Sequence, residues 1–220
     1  MRHLKSKHAG TKKRRKAIIQ AALACFSEIG FTETSMEDIR KRSKASTGSI
    51  YHHFKSKEKL AAEVYLEGIR DYQSGLISIL EEQSYAREGI RSLISHHLKW
   101  VEHNVDWSRY LFQKRHWVFM STAEEDIAEM DRELGRRAEK WFAQFIRSGE
   151  IRSLPVDIYV SLILGPCMEF TRQFLFGLSS TPIDETIEVL ADAVWQYLAG
   201  KQPCEAEQAS CLRNMINEDN

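Results

Sequence analysis

The stretch Thr34–Lys59, TSMEDIRKRSKASTGSIYHHFKSKEK, decides the fold. Thr34 with Glu37, or equally Ser35 with Asp38, can form the reciprocal cap that opens a helix near Met36. That helix runs to about Ser43, with Met36 and Ile39 inward and Arg40 and Lys41 outward. Lys44-Ala45-Ser46 reads as a turn, and a hydroxyl at Ser46 or Thr47 caps a second helix. In that helix only Ile50 and Phe54, four residues apart, are plainly inward. Lys55-Ser56-Lys57 interrupts the pattern, and a long helix follows from near Glu58. Two short helices joined by a tight turn thus expose a face that is basic, aromatic and hydroxyl-rich.

Such a face suits double-stranded DNA. A major groove admits one α-helix, and close approach needs small residues where the helix begins. Ala45, Ser46, Thr47 and Gly48 supply that clearance. Hydroxyls and backbone N–H groups at a helix start are natural partners for phosphates and base edges. Tyr51, His52 and His53 add planar groups, and Lys55 and Lys57 flank the groove. An ordinary helical hairpin with a solvated basic face is the plainer alternative.

The charge distribution favours the first reading. The chain has 31 Lys/Arg and 31 Asp/Glu, but these are segregated. Residues 1–60 carry fifteen basic against five acidic side chains, and the remainder carries sixteen against twenty-six. A +10 module fused to a −10 module implies two kinds of partner, and the basic one suits a phosphate backbone.

Upstream, Ile18, Ala22, Cys25, Phe26 and Ile29 line one face of a helix predicted from about Lys12, with Gly30 as its C-cap. Residues 1–11 read as a flexible basic arm, and the cluster Lys12–Lys16 has no core to enter. The N-terminus lacks the apolar segment of a secretory signal, and no apolar run is long enough to span a membrane, so a cytoplasmic location is expected. Cys25 and Cys167 fall in apolar helical patterns and read as buried thiols. Cys204 and Cys211 lie in a polar tail and receive no role.

The residues Phe26…Gly30-Phe31…Thr34-Ser35-Met36…Ile39…Thr47-Gly48-Ser49-Ile50-Tyr51-His52-His53-Phe54-Lys55-Ser56-Lys57-Glu58-Lys59-Leu60 resemble the N-terminal domain of the tetracycline-repressor (TetR-like) family over about residues 12–65. The resemblance implies an all-α protein with a three-helix helix-turn-helix DNA-binding domain and a larger C-terminal helical domain for ligand binding and dimerisation. It implies a homodimer on a palindromic operator, most often a repressor released by a small molecule. Carried over by position, it places DNA contacts at Thr34 or Ser35, Ser46, Thr47, Gly48, Tyr51, His52, His53 and Lys57. His52 stands where the family often has tyrosine or another aromatic residue, which leaves base preference open.

The domain plan is therefore an arm (1–11), a DNA-binding domain (12–58), a regulatory and dimerisation domain (59–200) and a flexible tail (201–220). The helix from Glu58 to about Leu80 would span roughly 34 Å and joins the two domains. Helices follow over Ala86–Asn104, a short aromatic stretch after Asn104 or Asp106, Glu124–Arg147, Pro155 to about Gly177 and Pro182 to about Leu198. No strand pattern competes.

In the last two helices, Ile158, Leu162, Pro166, Phe170, Ile183, Ile187, Leu190, Val194 and Trp195 offer more apolar surface than one layer consumes, so they are assigned to a dimeric four-helix bundle. Aromatic residues concentrate in the middle of the chain. Trp100, Trp107, Tyr110, Trp117, Trp141, Phe145 and Phe170 are the candidates for an apolar pocket that takes a small apolar or amphipathic effector. Core packing is the plainer reading of each one singly. His96, His97, His103, His116, Glu169 and Arg172 are its candidate polar groups. The histidines lack metal-site spacing, no nucleophile, glycine-loop or zinc motif occurs, and neither metal, cofactor nor catalysis is expected. The alternatives are a constitutive DNA-binding architectural protein and an activator without an effector.

Overall fold

The computed structural model describes residues 2–113 and 123–200, with side chains from residue 10 onward; Trp117, His116, Cys204, Cys211 and the tail lie outside them. The chain order is α1 (Arg2–Ile29), α2 (Met36–Ser43), α3 (Thr47–His53), α4 (Lys57–Glu82), α5 (Ala86–His103), α6 (Val105–Gln113), α7 (Glu124–Ser148), α8 (Val156–Leu175) and α9 (Ile183–Leu198). Among the described residues the only extended pairing is a single bridge between Ile151 and Ala199. The protein is all-α, with an N-terminal helix-turn-helix domain and a C-terminal helical domain.

The caps explain the first four elements. Ser35, not Thr34, opens α2: its hydroxyl accepts from the Asp38 amide, and the Asp38 carboxylate accepts from the Ser35 amide. Lys44 closes α2 in the left-handed region at φ 53°. Ser46 caps α3 and Ser56 caps α4, each accepting from the backbone amide three residues on. Ile18, Ala22, Phe26, Ile39, Ile50 and Phe54 are all at most 3% exposed and form the core of the head. One boundary differs from the sequence reading. The helical backbone of α1 begins at Arg2 instead of Lys12, because residues 2–11 contain no proline and only Gly10 opposes continuation.

In the body, α5 is central and packs on α4, α8 and α9, with Ile90, Ile94 and Leu98 fully buried. Two glycines permit close helix contacts. A Cβ at Gly68 would lie 2.3 Å from the Trp107 ring, and one at Gly89 would lie 2.2 Å from Trp141. Arg87, Arg91 and Lys99 of α5 pair with Asp192, Glu188 and Asp184 of α9. These exposed pairs set register more than stability. The apolar surface of α9 is divided: Ile183, Ile187 and Val194 are buried within the protomer, leaving Val189 and Tyr197 outward. The sequence reading had assigned the three buried residues to a dimer face. Helical spacing alone cannot separate a stripe covered by α5 from one covered by a second chain.

A polar relay crosses this core. The Tyr72 hydroxyl lies 2.7 Å from His97 Nδ1, and His97 Nε2 lies 3.0 Å from the Thr171 hydroxyl, tying α4, α5 and α8 together. His97 is fully buried, and desolvation, with a smaller effect from His96, lowers its pKa from 6.5 to about 4. Burial also pushes the Tyr72 phenol up and the neighbouring Cys167 thiol up to about 12. The fold therefore holds His97 neutral, whereas the unfolded chain protonates it near pH 6.5. Stability present above pH 6.5 is lost as the pH falls towards 4, by about 2 kcal/mol at pH 5. Urea midpoints measured at pH 7 and pH 5 should show this loss, and His97→Gln should flatten the difference.

Candidate nucleic-acid interface and small-molecule cavity

The exposed face of α3 is built by what lies beneath it. Ala45, Ile50 and Phe54 are 4%, 1% and 3% exposed, which turns Ser46, Thr47, Gly48, Tyr51 and His52 to solvent. Tyr51 is 46% exposed, large for an aromatic side chain on a well-packed domain. A Cβ built at Gly48 meets nothing within 4 Å, so the glycine is not demanded by packing inside the head. It leaves room outside. His53 is half-buried, and its pKa is lowered by desolvation and by the neighbouring positive charges of His52, Arg15 and Arg14. It therefore offers hydrogen bonds more readily than charge. Lys12, Lys13 and Lys16 on α1, Lys44 in the turn and Lys55 after α3 are exposed around this face.

Two of the sequence-assigned contacts are engaged elsewhere. Thr34 is 1% exposed, and its hydroxyl donates to the Gly30 carbonyl at 2.7 Å. The Lys57 ammonium donates to the carbonyls of Phe31, Thr32 and Thr34 at 2.9, 3.2 and 2.8 Å and sits 4.5 Å from the centre of the Phe31 ring. Both tie the α1–α2 turn to the helices around it and are not presented to a groove. Sequence order could not show this, because the 31–34 carbonyls reach Lys57 only after the turn folds. Ser35 is exposed, but its hydroxyl and amide serve the α2 cap, and its two hydrogen bonds hold the Asp38 pKa down. Arg40 and Arg42 are likewise held, by Glu37 and Glu28. The cations around α3 are thus chiefly lysines.

A cavity of about 320 Å³ opens between α4, α6, α7 and α8. Tyr65, Ile69, Tyr72 and Gln73 of α4 form one wall, with Phe112, Asp131, Ser161 and Met168 among the residues opposite. An adjoining recess of about 60 Å³, lined wholly by apolar residues, shares Val160 and Leu164 with it. Neither cavity is lined by Trp100, Trp107, Tyr110, Trp141, Phe145 or Phe170, the aromatic residues that composition nominated. They are packing residues instead. The Trp100 indole donates to Asp71, the Trp141 indole to the Gln83 carbonyl and the Tyr110 hydroxyl to the Ala61 carbonyl, while Phe170 stacks on Phe174. Large rings with one polar atom satisfy a helical core efficiently, which is why they concentrate there.

The candidate polar groups scatter in the same way. His97 is in the relay, His96 bonds the Tyr72 carbonyl, His103 bonds the Lys99 carbonyl, and Glu169 pairs with Arg172. What the sequence reading missed is Gln73, only 5% exposed on the inner side of α4, with its amide on Asp131 at 2.8 Å. A glutamine on an otherwise apolar stripe was the available signal. Among the described residues there is no cluster that could hold a metal and no helix long and apolar enough to cross a membrane.

Residues 18–64 match the family model for bacterial regulatory proteins of the tetR family. The match lies within the head, which is similar to the N-terminal module of that family. The chain is 32% identical over 94 residues to the transcriptional repressor KstR2 of Mycolicibacterium smegmatis, 41% of this chain and 44% of that protein. It thus spans less than half the length of that relative. It is 24% identical over 172 residues to the fatty acid metabolism regulator of Bacillus subtilis, covering 77% of this chain and 79% of that one.

The fold is shared with solved tetR-family structures. A TetR-family regulator from Marinobacter aquaeolei superposes with a TM-score of 0.71 at 20% identity over 89% of this chain and all of that one. The regulator FadR of Bacillus subtilis, solved in complex with stearoyl-CoA, superposes with a TM-score of 0.69 at 18% identity over 81% and 96%. Within the head, Lys57 is predicted to be a structural post. Lys57→Ala leaves three carbonyls without their shared donor and should cost about 1–3 kcal/mol, read as a lower thermal or urea midpoint of the DNA-free protein.

Proposed function

We propose that the protein is a transcriptional repressor that binds a palindromic operator as a homodimer and is released by a small molecule held in the α4–α8 cavity. The observation that carries this reading is the solvent face of α3, where hydroxyls, Gly48 and Tyr51 stand free of the head's own packing inside a +10 module. Ser46, Thr47, Gly48, Tyr51, His52 and His53 enter the major groove, and the flanking lysines neutralise phosphates. The tetR-family relatives include named transcriptional repressors, which supports the regulatory sign.

The dimer is formed by the outer faces of α8 and α9. Ile158, Val189 and Tyr197 are 40%, 61% and 49% exposed there, next to half-buried Leu162, Phe170 and Trp195. Apolar side chains left outward on two adjacent helices are the usual material of a symmetric helical interface.

The coupling runs along α4. Its first residue, Lys57, is fastened to the 31–34 turn, and its middle, Ile69 to Gln73, walls the cavity. A second link joins the body to the head through α6: Tyr110 stacks on Phe26, and Ser27 donates to Asp106. A ligand that shifts α4 or α6 moves the head as a body and changes the spacing of the two α3 helices on successive major grooves. The FadR neighbour with stearoyl-CoA supports a regulator of this shape accepting an amphipathic ligand.

Gly48→Leu fills the space next to the groove. It should lower operator affinity by about ten- to a hundred-fold while leaving the urea midpoint unchanged, and Tyr51→Ala should do likewise. Replacing Lys12, Lys13 and Lys16 by glutamine should flatten the plot of log affinity against log salt by about 0.9 for each phosphate contact removed. Binding and release are reciprocal, so operator DNA must weaken ligand affinity by the factor by which ligand weakens operator affinity. Calorimetric titration with and without operator checks this. Operator affinity unaffected by any cavity ligand would point instead to a constitutive DNA-binding protein.

A further inference from the structure

The cavity and the recess beside it differ in chemistry. The small recess is bounded by Leu76, Leu80, Leu93 and Phe142 and offers no polar atom. From Tyr65 to Gln73 the wall that α4 gives the cavity runs about 12 Å, room for an extended aliphatic chain. The larger cavity joins apolar residues to Tyr72, Gln73, Asp131 and Ser161.

Their hydrogen bonds determine what the polar part can accept. The Tyr72 hydroxyl is engaged by His97 at 2.7 Å, and the Ser161 hydroxyl donates to the Asp157 carbonyl at 2.8 Å. The nearly buried Gln73 amide donates to Asp131 Oδ1 and fixes the carboxylate at the opening. The arginines of α7 that could neutralise Asp131 are paired elsewhere. Arg132 binds Glu129, Arg136 binds Glu129 and Glu133, and Arg137 binds Glu133 and Glu81. Among the described residues, Asp131 has no ion-pair partner and no lysine or arginine lines the cavity. Among the described residues the polar part of the cavity therefore presents an anchored carboxylate and acceptor oxygens, with the second N–H of Gln73 as its remaining donor.

We infer that the cavity selects an amphiphile with an aliphatic tail and a hydrogen-bond-donating, non-anionic head, such as a long-chain amine or alcohol, with the head against Asp131 and the tail along the apolar residues of the same cavity, Ile69, Phe112, Leu164 and Met168 among them. An ammonium forms a charge-assisted hydrogen bond to Asp131, a hydroxyl forms a weaker one, and a carboxylate meets like charge. The inference rests on the cavity being the effector site and adds the head-group chemistry.

The test compares decylamine, decanol, decanoate and decanoyl-CoA on the full chain at neutral pH, below their aggregation thresholds. Direct binding is read by calorimetry, and operator affinity is read separately. The amine should bind tightest and decanoate at least about ten-fold more weakly, as expected for one charge-assisted hydrogen bond gained or lost. Asp131→Asn, at an exposed position and with an amide oxygen that can still accept from Gln73, should weaken the amine and narrow that gap.

Decanoate or decanoyl-CoA binding as tightly as the amine would overturn the inference. So would an amine preference untouched by Asp131→Asn, or no binding at all. The two readouts keep this apart from the regulatory reading. Decanoyl-CoA that binds and weakens operator affinity would sink the head-group assignment and leave ligand-controlled repression standing. Tight amine binding with no effect on the operator would do the reverse.

Discussion

The ammonium of Lys57, shared among three carbonyls of the 31–34 turn, fixes where the long helix begins. The geometry of the molecule follows from that start. α4 is 26 residues and about 39 Å long, so a small change of angle at its base is magnified at its far end. A single continuous helix that is fastened to the head at one end and walls the cavity in its middle makes the two regions mechanically one. Arg15 reinforces the joint from α1, pairing with Glu63 and Glu67 of α4 and lying over the Phe54 ring. The charges nearest the head are therefore of two kinds: those that hold it to α4 and those left for a partner.

The body is organised by the same economy of polar groups. Tyr72, His97 and Thr171 satisfy one another across three helices, so a fully buried imidazole is retained in neutral form and gives the core a unique register. The cavity lies against this relay, since Tyr72 belongs to both. A ligand that displaced the Tyr72 ring would disturb a hydrogen bond linking α4 to α5 and α8, which gives the cavity a physical connection to the helix that carries the head. The exposed ion pairs within α7 and between α5 and α9 cancel within themselves, and the net acidic surplus of residues 61–220 that remains keeps the body away from phosphate.

Much of this was legible in residue order. The capping serines, the Ile50–Phe54 spacing and the run after Phe54 located α2, α3 and the start of α4 to within a residue, because caps and short-range periodicity are local physics. Proline and acidic residues at Pro155-Val156-Asp157 and Pro182-Ile183-Asp184 marked the starts of α8 and α9 for the same reason. Where the sequence reading went astray, the deciding partner was distant. Trp100, Trp141 and Tyr110 looked like pocket aromatics until Asp71, Gln83 and Ala61 were brought to their polar atoms. Thr34 looked like a surface hydroxyl until the Gly30 carbonyl covered it.

By itself, then, the sequence determined the helical fold, the order and caps of its elements, and the basic, hydroxyl-rich face of α3, since each depends on residues within four or five positions of one another. Only the tertiary structure decided which cations remain for a partner, which stripe of α9 is already covered, and which polar groups face the cavity. Those outcomes turn on contacts between residues 23 to 97 positions apart, such as Lys57 with Thr34, Gln73 with Asp131 and Arg91 with Glu188. No periodicity along the chain encodes such pairings. They exist only once hydrophobic burial has brought the helices together.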